Sequence, residues 1–375
     1  MTNINKPATV KYYMYQQPPL NIPPVSEPFP NVLLAHGIIA TSTFIPPWWA
    51  KNRHIQTVWP RFMQKRMKVT WQSQRLTLPD GDFVNLAWVG NRHDPGAYKG
   101  LVILFHGLEG SNKSHYANDM AANLCQQQYL VVLMHFRGCG GQHNTLPRAY
   151  HSGETEDAWF LLNFLAQQFP SMEKVAMGFS LGANMLLKLL GEHTGQTILQ
   201  GAIAISPPFK LQQCSLSINQ GLSRMYQSYL LKSMVNNLLE KMSVIDYKGH
   251  LAIDPGAASK LKNFREFDHY VTAPLHGFTS AEDYYQKCSA IGFMNSINTP
   301  TLILHAKDDP FMNENVLPQQ SDLSSSVRLE LSAKGGHVGF LQGTPWAPKI
   351  WLHPRVNQFI NETLGKSPDN NSETK

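Results

Sequence analysis

The sequence predicts an α/β fold, a mostly parallel central sheet of about eight strands with an inserted helical cap. Three observations carry that expectation. From about residue 70, short apolar runs alternate with amphipathic stretches. A Pro79-Asp80-Gly81 turn separates the first two runs. Between Ser206 and Pro300 lie about ninety residues, too many for one crossover helix, and their apolar residues recur at helical spacing.

Taken in order, residues 1–70 form a Pro-rich, basic N-terminal arm. Nine of the 25 prolines fall in the first 50 residues, so 1–45 reads as irregular. The first part of the core, 71–207, holds expected strands Arg75–Leu78 and Val84–Val89, an antiparallel hairpin across the turn, then Leu101–Phe105, Leu130–His135, Lys174–Gly178 and Leu199–Ile205. Helices are expected at His115–Gln127, Glu154–Gln168 and Leu181–Gly191. Residues 208–295 form the cap insertion, marked by Leu231, Met234, Val235, Leu238 and Leu239. The core resumes over 296–365 with strands Pro300–His305 and Val327–Leu331 and a final helix Pro348–Leu364. Residues 366–375 offer no large apolar side chain and read as a disordered tail.

A chain of 375 residues, 42% hydrophobic and 15% charged, is long enough for a large core, which excludes a disordered or fibrous class. Its net charge of +6 has an address. Residues 1–70 carry eight bases against Glu27, leaving 24 bases against 25 acids in the remainder. Cys125, Cys139, Cys214 and Cys288 are widely spaced with no Cys-x-x-Cys pair, which points to a reducing compartment and to neither disulfide framework nor structural zinc. No secretory pattern opens the chain, and the apolar stretch from Val32 to Ile45 is too short to span a bilayer. A cytoplasmic location is the expectation.

The sharpest chemical signal is Gly178-Phe179-Ser180-Leu181-Gly182 between an expected strand and an expected helix. Small residues there permit a tight strand-to-helix turn that exposes a serine hydroxyl at a helix N-terminus. Such a nucleophile needs an acid and a base later in the chain, each on a loop after a strand. The run from Thr301 leads into Asp308-Asp309-Pro310, and the run from Val327 leads into Gly335-Gly336-His337. His337 is therefore the expected base, with Asp309 favoured as the acid by loop register and Asp308 the alternative. The turn Phe105-His106-Gly107-Leu108 supplies an oxyanion hole from the backbone amides of Leu108 and Leu181.

Other patterns in the sequence are incomplete. Gly107 to Ser114 lacks the glycine that a phosphate loop needs directly before its lysine. Gly138-Cys139-Gly140-Gly141 completes no dinucleotide fingerprint. His135, Cys139 and His143 share no helical face, so no metal or other cofactor is expected. Trp48, Trp49 and Trp59 interleave with bases but sit in no RNA-binding module, so they are expected to pack the arm on the core. The basic, aromatic arm suggests contact with an anionic membrane surface rather than with nucleic acid.

The chain resembles the α/β-hydrolases, and in particular the YheT-like branch, the AB hydrolase 4 family. The resemblance runs from about Phe44 to Leu364 and rests on PPWW with NRHIQTVWP, LPDGDFVNLAW, FHGLEGS, HFRGCGG, YHSGETED, GFSLGANML, HAKDDPFM and GGHVGF. Arg53 stands where relatives often carry Pro. The resemblance places nucleophile, acid and base on Ser180, the Asp308-Asp309 pair and His337. It implies a serine hydrolase of carboxylic esters, either a short-chain carboxylesterase or an acylglycerol lipase, acting on a small-molecule ester without a cofactor. Acyl transfer to an alcohol is the alternative, followed by a phospholipase or a non-catalytic binding protein on the same fold.

Overall fold

The computed structural model describes residues 36–365. The first 35 residues of the arm and the expected tail at 366–375 lie outside the described residues.

Nine strands form one sheet in the order β1-β9-β8-β7-β6-β4-β5-β3-β2. They are β1 (Ile38–Thr41), β2 (Gln72–Thr77), β3 (Phe83–Val89), β4 (Leu101–Phe105), β5 (Leu130–Met134), β6 (Lys174–Phe179), β7 (Gly201–Ile205), β8 (Thr301–Ala306) and β9 (Val327–Ser332). The β2–β3 hairpin is antiparallel, as the Pro-Asp-Gly turn dictates, and β3 runs antiparallel to β5. All remaining pairs are parallel. Every residue of β4, β5, β6, β7 and β8 is buried, the pattern of strands covered on both faces by helices. Those helices include α1 (Arg53–Phe62), α2 (His115–Gln126), α3 (Glu156–Gln168) and α4 (Leu181–Glu192).

Three expectations need correction. Trp48, expected to pack the arm on the core, is exposed, while Trp49 and Trp59 meet edge to face. The stretch 1–45, read as irregular, contains β1, which pairs parallel with β9 from Ile38↔Arg328 to Thr41↔Leu331. A four-residue edge strand escapes a proline-based reading because its prolines lie outside the paired positions. Farther along the arm, α1 tolerates Pro60 near its end and is capped by Asn52, whose side chain accepts from the amides of His54 and Ile55 at 2.8 and 3.4 Å. The buried Gln56 side chain ties α1 down, donating to Ala50 O and accepting from Leu341 N at 2.6 Å. The final helix also starts later than expected, because Leu341–Thr344 (β10) and Ala347–Ile350 (β11) form a second hairpin with Pro348 opposite Gly343.

Between β7 and β8 the chain is helical: α5 (Leu211–Ile218), α6 (Ser223–Met242), short turns α7 (Pro255–Ala258), α8 (Phe264–Phe267) and α9 (Ala273–Leu275), then α10 (Ala281–Cys288). A single π-helical turn spans Asp268–Thr272. Leu231, Val235, Leu238, Tyr247, Phe267 and Val271 bury one another in a small core of the insertion's own. The last helix, α11 (Leu352–Leu364), returns to the sheet.

Candidate active site

Four loops meet where the parallel strands end. The strand β6 turns directly into α4 at Ser180, whose backbone is held at φ 51°, ψ −117°. Its neighbours must be glycine: a Cβ on Gly178 would stand 2.4 Å from Gly182 O, and one on Gly182 would stand 2.5 Å from His106 O. Ser180 N donates to Ile205 O at 2.8 Å, fixing the turn against β7. The hydroxyl therefore sits at the positive end of a twelve-residue helix.

His337 comes from the loop after β9. Its Nε2 lies 3.0 Å from Ser180 Oγ, and its Nδ1 lies 2.7 Å from Asp309 Oδ2. The second Asp309 oxygen accepts from the Phe311 amide at 2.8 Å, and the Phe311 ring stacks on the imidazole at 4.1 Å between centroids. Asp309 and His337 are both buried. Asp308 points elsewhere, accepting from Gly336 N at 3.0 Å, and burial raises its carboxyl. Of the two adjacent aspartates, Asp309 alone is hydrogen-bonded to the imidazole.

Leu108 follows the His-Gly turn after β4. The turn is pinned at both ends, since His106 Nδ1 bonds Gly107 O at 2.7 Å while its Nε2 accepts from Phe136 N at 3.1 Å. Burial pushes this imidazole down to about 3, so it stays neutral. Gly107 N donates to Tyr116 Oη at 2.8 Å. The amides of Leu108 and Leu181 donate to no other group among the described residues, and Gly107 lies against the Ser180 side chain.

Three contributors lie outside the sequence expectations. Thr57, on α1, accepts from His337 N at 2.9 Å, so the arm reaches the site. Tyr116 holds the His-Gly turn through Gly107 N. Glu109, with φ 54°, accepts from Tyr150 Oη at 2.8 Å and from Ser233 Oγ at 2.9 Å, and also from Asn237 Nδ2, tying this turn to α6. The NRHIQTVWP and FHGLEGS runs hold a signal for the first and last of these, but no spacing rule links them to Ser180.

A cavity of about 200 Å³ opens beside Ser180. Leu211, Ile218, Leu230, Met234, Phe267 and Val271 from the insertion give it an apolar wall. Polar groups occupy other parts of its lining. Lys241 Nζ donates to Asn144 Oδ1 and Arg148 O at 2.8 and 2.7 Å, and burial brings it down to about 8. Asp268 accepts from Thr272 and Tyr285 at 2.8 and 2.7 Å, and burial pushes it up to about 6.

His135 and His143, two of the three side chains of metal-ligand type between residues 135 and 143, are otherwise engaged. His135 Nδ1 bonds Asn85 O at 3.0 Å, its Nε2 accepts from Asn112 N at 3.2 Å, and His143 faces Glu240 at 3.5 Å. His151, Glu154 and His276 each bring a ligand atom within 4.8 Å of the others. There Arg148 holds Glu154 at 2.7 Å, and Gly153 N donates to His151 Nδ1 at 3.1 Å. The His151 proton then sits on Nε2, facing Glu154 at 3.7 Å, which leaves no lone pair there for a cation.

Comparison with known proteins agrees with this architecture. Residues 100–344 match the family described as the alpha/beta hydrolase fold. The chain is 42% identical over 330 residues to an Escherichia coli (strain K12) protein named "Putative esterase YheT", covering 88% of this chain and 96% of that one. It is 28% identical over 340 residues to "Phospholipase ABHD3" of Mus musculus, covering 89% and 82%. It is 30% identical over 251 residues to a "Monoacylglycerol lipase" of Saccharomyces cerevisiae, covering 65% and 55%. Among solved structures, the Pyrococcus furiosus esterase Pf2001 superimposes with a TM-score of 0.51 at 15% identity, over 88% of this chain and 98% of that one, a likeness of fold.

Proposed function

The chain belongs to the α/β-hydrolase fold family and to its YheT-like branch, and from that premise we propose that it is a serine hydrolase of carboxylic esters. One observation carries the reading: a single imidazole spans the 3.0 Å to Ser180 Oγ and the 2.7 Å to Asp309 Oδ2. Ser180 Oγ attacks the ester carbonyl carbon while His337 Nε2 takes its proton. The carbonyl oxygen becomes an oxyanion held by the amides of Leu108 and Leu181. Collapse breaks the ester C–O bond, and the leaving alkoxide takes the proton from His337. A water then adds to the acyl-enzyme, giving its proton to His337, which returns it to Ser180 as the carboxylic acid leaves. Asp309 keeps the imidazole in the Nδ1–H tautomer throughout and stabilises its cation.

The substrate is an ester with an apolar acyl chain, a reading supported by the apolar wall from the insertion. Residues 208–295 act as a cap whose shape sets acyl-chain length. Two of the three relatives' names, esterase and monoacylglycerol lipase, point to the same class.

A panel of p-nitrophenyl and glycerol esters graded by acyl length tests this reading on wild type and Ser180→Ala. Wild type is expected to hydrolyse part of the panel and to be labelled by a fluorophosphonate probe, and the variant to do neither while keeping its fold. Undiminished turnover by Ser180→Ala, or a wild type that neither turns over nor is labelled, refutes it. Analysis with a competing alcohol separates hydrolysis, which releases free acid, from acyl transfer.

A further inference from the structure

Three segments distant in sequence put large apolar side chains into solvent beside the candidate site. Trp48 and Phe62, at the start and end of the arm's helical part, are 74% and 69% exposed. Met225, near the start of α6, is 71% exposed, with Leu222 and Tyr229 exposed on the same helical face. Trp346, at the tip of the β10–β11 hairpin, is 81% exposed. These are neighbours in space. Arg61 donates to Tyr229 Oη at 2.5 Å, joining α1 to α6. Trp49 Nε1 donates to Gly343 O at 3.0 Å, joining the arm to the hairpin. The face also reaches the site, since Tyr226 contacts Phe311, which stacks on His337.

The charge of these segments runs one way. Residues 51–68 hold Lys51, Arg53, Arg61, Lys65, Arg66 and Lys68 and no acid. Between Glu192 and Glu240 there is no acid either, while Lys210, Arg224 and Lys232 fall in that interval, and the hairpin adds Lys349. Outside these segments the chain holds 22 bases against 26 acids, so this is where the excess lies. Among the described residues no helix is long and apolar enough to cross a membrane.

We propose that α1, the start of α6 and the β10–β11 tip form one docking face for an anionic lipid bilayer, with Trp48, Phe62, Met225 and Trp346 entering the interface and the lysines and arginines meeting the headgroups. Charge complementarity selects this occupant. A second copy would bring basic face against basic face. Residues 1–35, with Lys6 and Lys11 against Glu27, carry no net negative charge. Exposed thioether and aliphatic groups such as Met225 and Leu222 suit acyl chains, not the stacking on which single-stranded nucleic acid relies. The face would set the candidate ester site beside the phase in which apolar esters concentrate, and in that respect alone it rests on the proposed hydrolase reading.

The test is co-sedimentation of the full chain with vesicles of phosphatidylcholine alone, or with about one-third phosphatidylglycerol. Expected is binding at least tenfold stronger to the anionic vesicles, lost at about 0.5 M salt. Phe62→Ser with Met225→Ser should weaken it about tenfold, and Lys65→Glu with Lys68→Glu about twentyfold. Both double variants should keep the wild-type melting temperature and the wild-type rate on p-nitrophenyl butyrate, a soluble ester, so a failed hydrolase reading shows itself separately. Four results overturn the docking face: no binding, equal binding to neutral vesicles, binding that survives both double variants, or concentration-dependent dimers that those variants abolish. Tight binding of an oligonucleotide without vesicle binding overturns it as well.

Discussion

The adjacent aspartates at 308 and 309 offer the sharpest test of the proposed chemistry, because the two substitutions are alike in composition and opposite in geometry. In Asp309→Asn the side chain offers either an oxygen or an NH2 to His337 Nδ1, 2.7 Å away. The Phe311 amide needs an acceptor on the other side, so the Asn oxygen turns to Phe311 and its NH2 faces Nδ1. Nδ1 must then accept, and the imidazole proton moves to Nε2, the atom 3.0 Å from Ser180 Oγ. In that tautomer the ring cannot take the serine proton. Replacing the triad Asp by Asn in a serine protease costs about 10⁴ in kcat through the same tautomer change, or about 5.5 kcal/mol of transition-state stabilisation. Asp308→Asn should cost less than threefold, because the Asn oxygen still accepts from Gly336 N. Burial already raises the Asp308 carboxyl, so removing its charge is not a loss to folding. Steady-state hydrolysis of p-nitrophenyl butyrate, with circular dichroism to confirm folding, decides between them. An Asp309→Asn variant within tenfold of wild type, or an Asp308→Asn variant equally crippled, refutes the assignment.

Burial pushes Asp268 up to about 6 from an ordinary 3.8, so the stability it contributes when neutral is present below about pH 4 and lost as pH rises through 6. Urea melts should show wild type losing about 2–3 kcal/mol over that window, and Asp268→Asn much less. Glu109→Ala unties the turn after β4 from Tyr150 and α6; if that turn holds the proposed oxyanion, kcat on a short ester should fall about tenfold or more with KM changed under threefold. Glu109→Gln, which can keep one acceptor oxygen, should recover most of it, and equal losses in both variants would contradict the tether. Gly182→Ala drives a Cβ to within 2.5 Å of His106 O. It should cost about 2–4 kcal/mol in a denaturant melt and slow fluorophosphonate labelling by more than tenfold; wild-type behaviour in both would show that the elbow can relax.

The core is legible because a buried parallel sheet writes itself as apolar runs such as Leu101–Phe105 and Leu130–Met134, and because a strand-to-helix elbow admits so few residues around Ser180. Local rules also point to His337 and narrow the acid to two neighbours. They fail where structure depends on a distant partner. Strand β1 exists through its pairing with β9, and Gln56 reads as arm composition until Leu341 of β10 supplies a group to hold it. Loop register favours Asp309 over Asp308, but that one side chain turns to the imidazole and the other to Gly336 N is set by packing that no pattern encodes. Glu109 looks like one more loop residue because its partners, Ser233 and Asn237, lie about 125 positions away on α6.

The contact between Thr57 and His337 closes a loop of 280 residues, and this orders events during synthesis. The elbow around Ser180 can form once β6, α4 and β7 have left the ribosome, but the imidazole beside it is made 157 residues after the serine, roughly ten to thirty seconds at ordinary rates of translation. Even then it must be seated against a helix made near the start. On the proposed chemistry, Ser180 has no base until residue 337 is made, and that base finds its seat only against the helix that carries residue 57.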